Sequence, residues 1–254
     1  MADQQPALRL RVLGCGDAFG SGGRLNTSFY VEASEARFLI DCGATALIGM
    51  RRAGIDPNRI ETILITHLHG DHYAGLVWWL LHAHHVAKRT QPLTVAGPQG
   101  VEQRLRAASE ALFPRSMDVP RRFELNFVEY ADGQPLELGP VRVSAFEVVH
   151  FSGAPPYALR CEVAGRTIAF SGDTEWTDNL IPAGRDSDLC ILECYQFDLA
   201  VRYHMSWKVI RAQLDRIGAR RYLLSHMSEA MLARRQEVRD ARVLVAEDDL
   251  ALEL

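Results

Sequence analysis

The feature that most constrains this chain is Thr66-His67-Leu68-His69-Gly70-Asp71-His72. Three imidazoles and a carboxylate follow directly on the apolar, β-branched run Ile63-Leu64-Ile65. That run reads as a buried strand over 61–66. A strand end is a rigid platform, and the loop leaving it can curl its side chains round a centre. Gly70 is expected to supply the tight backbone path for the curl. Neutral imidazole and carboxylate are the donor set of zinc and similar divalent ions.

Three isolated candidates lie downstream, at His150, Asp173 and His226. Each follows its own predicted strand, over 141–149, 167–170 and 221–225. Asp173 sits in Ser171-Gly172-Asp173-Thr174, where small neighbours let a carboxylate approach an ion closely. Four strand ends thus deliver His67, His69, Asp71, His72, His150, Asp173 and His226. These are too many donors for one tetrahedral ion but suit two ions sharing a bridging carboxylate, about 3.5 Å apart.

The rest of the pattern alternates short strands with helices. Strands are expected at 8–14, in a hairpin of 29–33 with 37–41, and at 123–130, 157–163 and 189–193. Residues 16–26 form a glycine-rich loop. Helices are expected over 44–53, stopped by Gly54, over 75–88, and over 101–112, closed by Pro114. Ser206 caps a helix running to Ile217 with Gly218 at its end, and Ser228 caps the last helix. Residues 242–254 read as a closing hairpin turning at Asp248-Asp249. Each half is strand-rich first and helix-rich later. This predicts an α/β chain folded as an αββα sandwich, two mixed β-sheets with helices on the outer faces, and one domain over 1–254.

Composition narrows the setting. Hydrophobic residues make up 48% and charged residues 24% of 254, ordinary globular values. No apolar run approaches the ~20 residues of a membrane span, and residues 1–11 lack the pattern of a secretory signal. The formal charge of -4 gives no general footprint for nucleic acid. The five cysteines are odd in number and scattered, which fits a reduced, cytoplasmic setting.

These motifs resemble the metallo-β-lactamase superfamily, and most closely its ribonuclease Z-type phosphodiesterase branch. The resemblance runs from Gly14-Cys15-Gly16-Asp17-Ala18 to Val245-Ala246-Glu247-Asp248. It also includes Ile40-Asp41-Cys42-Gly43, the histidine cluster with Gly75-Leu76 after it, Ser171-Gly172-Asp173-Thr174, Tyr203-His204-Met205-Ser206 and Leu224-Ser225-His226. Met205 departs from the small polar residue the branch often has there. The resemblance implies the metallo-β-lactamase fold. It implies one metal on His67, His69 and His150 and a second on Asp71, His72 and His226, with Asp173 bridging. A water or hydroxide between the metals would be the nucleophile, and Asp71 would orient it or take its proton. His204 matches the branch's additional histidine, which would hydrogen-bond a phosphoryl oxygen or protonate the leaving group. Zinc suits these ligands, with manganese or iron as alternatives.

Outside the ligand set, Asp41 is read as a brace for the metal loop and Glu193 as a carboxylate near His204. His82, His84 and His85 are read as a helix end, Trp78 and Trp79 as core or pocket wall, 151–157 as pocket wall, and Cys190 and Cys194 as core. The transfer-RNA enzymes of the branch carry a long arm between the counterparts of His150 and Asp173. Here that stretch has room only for a loop, two strands and a turn. A small-molecule substrate is therefore expected, a small or cyclic phosphodiester, with no tRNA binding and no membrane association. An apolar edge would allow a homodimer. The alternatives are a lactone, ester or thioester hydrolase, with Tyr157, Tyr195 or Tyr203 polarising the carbonyl, and a non-catalytic metal-binding or sensor protein.

Overall fold

Alternation along the first strands sorts their side chains between two interiors. Leu10, Val12, Phe29, Val31, Phe38 and Ile40 point into one apolar cluster, while Tyr30, Leu39 and Ile63 point into another. The computed structural model describes residues 8–254, so most of the segment tested for a signal peptide lies outside the described residues.

The first sheet and its helices comprise β1 (Arg9–Gly14), β2 (Ser28–Glu32), β3 (Arg37–Ile40), α1 (Ala46–Arg52), β4 (Thr62–Leu64), α2 (Gly70–Tyr73), α3 (Gly75–His85), β5 (Leu93–Gly97), α4 (Val101–Leu112) and β6 (Leu125–Glu129). The second half adds β7 (Pro135–Leu138), β8 (Val141–Glu147), β9 (Tyr157–Val163), β10 (Arg166–Phe170), α5 (Leu180–Gly184), β11 (Leu189–Glu193), α6 (Trp207–Ile217), β12 (Tyr222–Ser225), α7 (Glu229–Arg234), β13 (Val243–Val245) and β14 (Ala251–Glu253). Two seven-stranded sheets result, ordered β14-β1-β2-β3-β4-β5-β6 and β13-β12-β11-β10-β9-β8-β7. Each is antiparallel at one end and parallel at the other.

Three apolar clusters separate four layers, which makes the molecule the αββα sandwich read from the sequence. Between the sheets, Phe29 meets Phe170 edge to face at 5.2 Å. Met50, Leu76, Trp79 and Leu105 pack helices on the first sheet. Ile210, Leu214 and Ile217 pack α6 on the second. The α6 termini follow their caps: Ser206 Oγ accepts from Val209 N, and Gly218 turns left-handed at φ 72°. Among the described residues no helix is long and apolar enough to cross a membrane.

The expected closing hairpin does not form. β13 runs parallel to β12 in one sheet, while β14 pairs antiparallel with β1 in the other. The Asp248-Asp249 segment is a crossing between sheets, held by side-chain and backbone bonds that a hairpin turn would not make. Asp248 accepts from the N–H of Cys15 at 3.1 Å and of Leu25 at 2.8 Å, and Asp249 N donates to Val12 O at 2.7 Å. β7 and α5 were not anticipated. Pro135 weakens the strand signal of the first, and α5 is a five-residue turn containing Pro182.

Candidate metal centre

The parallel ends of the two sheets open on the same cleft. After β4 the chain passes through Thr66 and His67, and the single turn α2 carries Asp71 and His72. Gly70 is not what permits the curl. Its φ is not positive, and an added Cβ would meet only Ala74 Cβ at 3.8 Å. The helical turn itself swings the side chains round. Gly75 is the glycine the loop needs, because a Cβ there would run into the Gly43 carbonyl oxygen. Across the cleft, Gly172 is left-handed at φ 58°, with Tyr157 O 2.9 Å from where a Cβ would stand. That turn delivers Asp173. His226, at φ 55°, leaves the end of β12 in the left-handed region, which non-glycine residues adopt rarely and often at functional sites.

The seven side chains meet. Donor atoms of His67, His69 and His150 lie within 4.8 Å of one another, and so do those of Asp71, His72, Asp173 and His226. Asp173 lies between the two groups. Its Oδ1 is 3.4 Å from His72 Nε2, and its Oδ2 is 3.3 Å from His226 Nε2, 3.8 Å from His67 Nε2 and 4.0 Å from His150 Nε2. Asp71 Oδ2 is 3.2 Å from His226 Nε2 and 3.3 Å from His72 Nε2.

Hydrogen bonds behind the cluster fix which imidazole nitrogen faces inward. Asp41 Oδ2 meets His72 Nδ1 at 2.6 Å and accepts from Thr66 Oγ1 at 2.8 Å, while Oδ1 accepts from Thr66 N at 2.8 Å. His150 Nδ1 donates to Tyr203 O at 2.9 Å, leaving His150 Nε2 only 3.0 Å from His69 Nδ1. His67 Nε2, His72 Nε2 and Asp173 Oδ1 are buried with no hydrogen-bond partner among the described residues. Buried polar atoms are rarely left so. Inward-facing imidazole nitrogens, orphaned and grouped with two carboxylates, fit divalent cations as to donor type, number and mutual distance.

The electrostatics divide the cluster. Burial drives His67, His69 and His150 down, His150 to about 4, so their imidazoles are neutral donors. Burial also opposes charge on His72 and His226, but Asp173 and Asp71 outweigh it and raise both, His226 to about 9. Asp71 and Asp173 are held below the usual carboxylate range, because their histidine partners overcome burial.

His204 sits beside this cluster, 18% exposed. Its Nδ1 lies 3.1 Å from Glu193 Oε1, which also accepts from Thr174 N at 3.0 Å and Met205 N at 3.1 Å. The His204 ring stacks on Tyr195 at 4.7 Å and lies nearly parallel to His226 at 5.7 Å. Burial pushes His204 down and Glu193 more than reverses it. A cavity of about 200 Å³ opens onto the cluster, lined by Asp17, Ala18, Phe19, Tyr195, His204 and five of the candidate ligands. Asp17 and Phe19 escaped sequence reasoning. Their signal was the glycine-rich loop, whose role is invisible until Asp248 and α7 close round it.

Other readings resolve differently. Residues 153–155 line a separate groove of about 480 Å³ with Leu68 and Arg104, not the cavity. Trp79 is core, whereas Trp78 is 38% exposed and packs on Phe113. His82, His84 and His85 end α3 and join no cluster of ligand atoms among the described residues. Of the three tyrosines considered, Tyr195 lines the cavity and Tyr157 is buried against Tyr130. Tyr203 contributes its carbonyl, aimed by a left-handed φ of 70°.

Comparison with known proteins agrees with this geometry. Residues 8–248 match the family model described as Anti-Pycsar protein Apyc1, and the chain belongs to that family. It is 35% identical over 158 residues to ribonuclease Z of Lachnoclostridium phytofermentans, covering 62% of this chain and 50% of that one, so it spans half that relative's length. It is 21% identical over 229 residues to the probable metallo-hydrolase YhfI of Bacillus subtilis, covering 87% of each. The crystal structure of that metallo-β-lactamase-fold protein superposes with a TM-score of 0.79 at 19% identity, covering 98% of this chain and 99% of YhfI. Human tRNase Z, short form, gives 0.76 at 22% identity over 96% and 98%. The chain has the metallo-β-lactamase fold.

Proposed function

We propose that this member of the Apyc1-type family is a metal-dependent hydrolase of a small or cyclic phosphodiester. The convergence of seven donor side chains, five of them lining one cavity with His204, carries the reading. His67, His69 and His150 would hold one divalent ion, and Asp71, His72 and His226 a second, with Asp173 shared. Zinc suits the imidazole-rich set, with manganese or iron as alternatives. Two such ions, when bound, supply Lewis-acid charge for a phosphoryl oxygen and acidify a water.

The chain's own groups do the rest. Asp71 orients the attacking water or accepts its proton. Asp41 fixes the His72 tautomer and ring. Glu193 keeps a proton on His204 Nδ1, leaving Nε2 free to donate to a phosphoryl oxygen or the departing alkoxide. The stretch between His150 and Asp173 holds only a loop, β9 and β10, with no inserted arm. That supports a small substrate over a transfer RNA. Five free, buried cysteines support a reducing, cytoplasmic setting.

The test is metal content together with turnover of bis(p-nitrophenyl) phosphate against simple esters and lactones. Metal-dependent hydrolysis of the phosphodiester is expected. Preference for a lactone or thioester would transfer the site to carbonyl chemistry, with Tyr195 in the cavity as the polarising group. No turnover of any ester by metal-loaded protein would favour a binding or sensor role. Tight binding and accurate 3′ trimming of precursor tRNA would overturn the small-substrate reading.

A further inference from the structure

We propose that Phe19 is a stacking platform for the base of a nucleoside phosphodiester held in the cavity. The substrate class rests on the phosphodiesterase reading above, and the contact is new to it. The cavity over the ligand cluster is about 200 Å³. Small-molecule sites typically run to ~300–1,000 Å³. A cavity of this size does not enclose a whole nucleoside phosphodiester, so with its phosphoryl group on the cluster part of the molecule lies across the rim.

Phe19 stands on that rim. It lines the cavity yet is 83% exposed, more than any other large apolar side chain among the described residues. Among the described residues little covers it, so packing there does not explain an aromatic ring. Its backbone is nevertheless held firmly. Asp17 is 1% exposed, and its carboxylate accepts from Phe19 N at 3.1 Å, Ser21 N at 2.9 Å and Ser21 Oγ at 2.7 Å. Asn26 Nδ2 donates to Asp17 O at 3.1 Å, and Glu229 Oε1 accepts from Gly22 N at 2.6 Å, tying the turn to α7. A rigid turn presenting an uncommitted ring avoids much of the ordering cost of binding.

The other aromatic ring of the cavity, Tyr195, is already stacked on His204. The ligand side of the cavity is charged and suits phosphate oxygens. The apolar face of Phe19 suits the flat face of a base. Base–aromatic stacking corresponds to about 5- to 150-fold in affinity and tolerates any base.

The test uses zinc-loaded full-length protein and equilibrium binding of adenosine 5′-monophosphate against ribose 5-phosphate, which differ only by the base. Wild type should favour the nucleotide at least 10-fold. Phe19→Ala and Phe19→Leu should remove most of that preference while leaving ribose 5-phosphate affinity, zinc content and Tm unchanged. Phe19→Tyr should keep it. Because the readout is binding, a protein that hydrolyses no phosphodiester but shows this pattern would sink the catalytic reading and leave the platform standing. Equal preference in wild type and Phe19→Ala would overturn the platform. So would a Phe19→Ala protein whose only change, by sedimentation, is loss of an oligomer, since Phe19 would then be a contact between copies of the chain.

Discussion

His204 Nδ1 and Glu193 Oε1 are 3.1 Å apart, with Glu193 fully buried and His204 open to the cavity. The carboxylate is itself anchored by two backbone N–H groups, of Thr174 and Met205. It fixes one tautomer and one ring orientation of the histidine. Glu193→Gln keeps a hydrogen-bond acceptor and removes the charge. Activity should fall about 10- to 100-fold, as for other partners that support a working site, with metal content retained. Parallel rate and metal measurements check this, and unchanged turnover would remove Glu193 from the machinery.

Asp173 is the carboxylate that lies between the two candidate donor groups, 3.3 to 4.0 Å from histidines of both. Asp173→Ala should lose at least one equivalent of metal and nearly all hydrolytic activity. Elemental analysis after gel filtration reads the first and a phosphodiester assay the second. Retention of two equivalents would remove the shared-carboxylate assignment.

Asp41 acts one layer further out, through its 2.6 Å contact with His72 Nδ1 and its bonds to Thr66. Asp41→Asn should weaken metal affinity about 10- to 100-fold, the usual cost of losing such a partner. Competition against a chelator of known affinity measures it. Full activity should return at excess metal, which distinguishes weakened metal binding from lost chemistry.

The convergence of the candidate donors was legible because their chemistry is dense in sequence at His67 to His72 and the remaining members sit at strand ends that apolar runs announce. Asp41 was legible as a brace through its place after β3. The closing segment misled because an Asp-Asp pair between short apolar runs suits a hairpin, and only the carboxylate of Asp248, bonded to Cys15 and Leu25, shows that it bridges two sheets. Gly70 misled for a related reason. Glycine in a tight loop suggests backbone need, whereas here the need falls on Gly75, set by an approach to Gly43 that is remote in sequence. Phe19 was silent because one exposed aromatic in a glycine-rich loop carries no periodicity.

The cysteines offer a check on burial that is independent of any metal. Burial pushes the thiols of Cys15, Cys161 and Cys190 up to about 12, and raises Cys42 and Cys194 as well. The reactive thiolate is therefore scarce and shielded at pH 8. Native protein should show under one reactive thiol toward a disulfide reagent, and five after guanidinium. Fast titration of one or more thiols in the native state would contradict the packing around that cysteine, between the sheets for Cys15 and Cys161 and beneath the outer helices for the others.

The last prediction concerns what His204 does. It lies outside the two donor groups, although its ring also comes near His150 and Asp173. His204→Ala should leave metal content intact. A general acid typically contributes 10²- to 10⁴-fold in rate. If His204 protonates the departing alkoxide, the loss should be largest with a poor leaving group such as a ribose hydroxyl. It should shrink with p-nitrophenolate, which departs without much protonation. An equal loss with both leaving groups would instead assign His204 to a phosphoryl oxygen or to substrate positioning. Loss of a metal equivalent in His204→Ala would make it a ligand or ligand support, and the proton-donor role would be withdrawn.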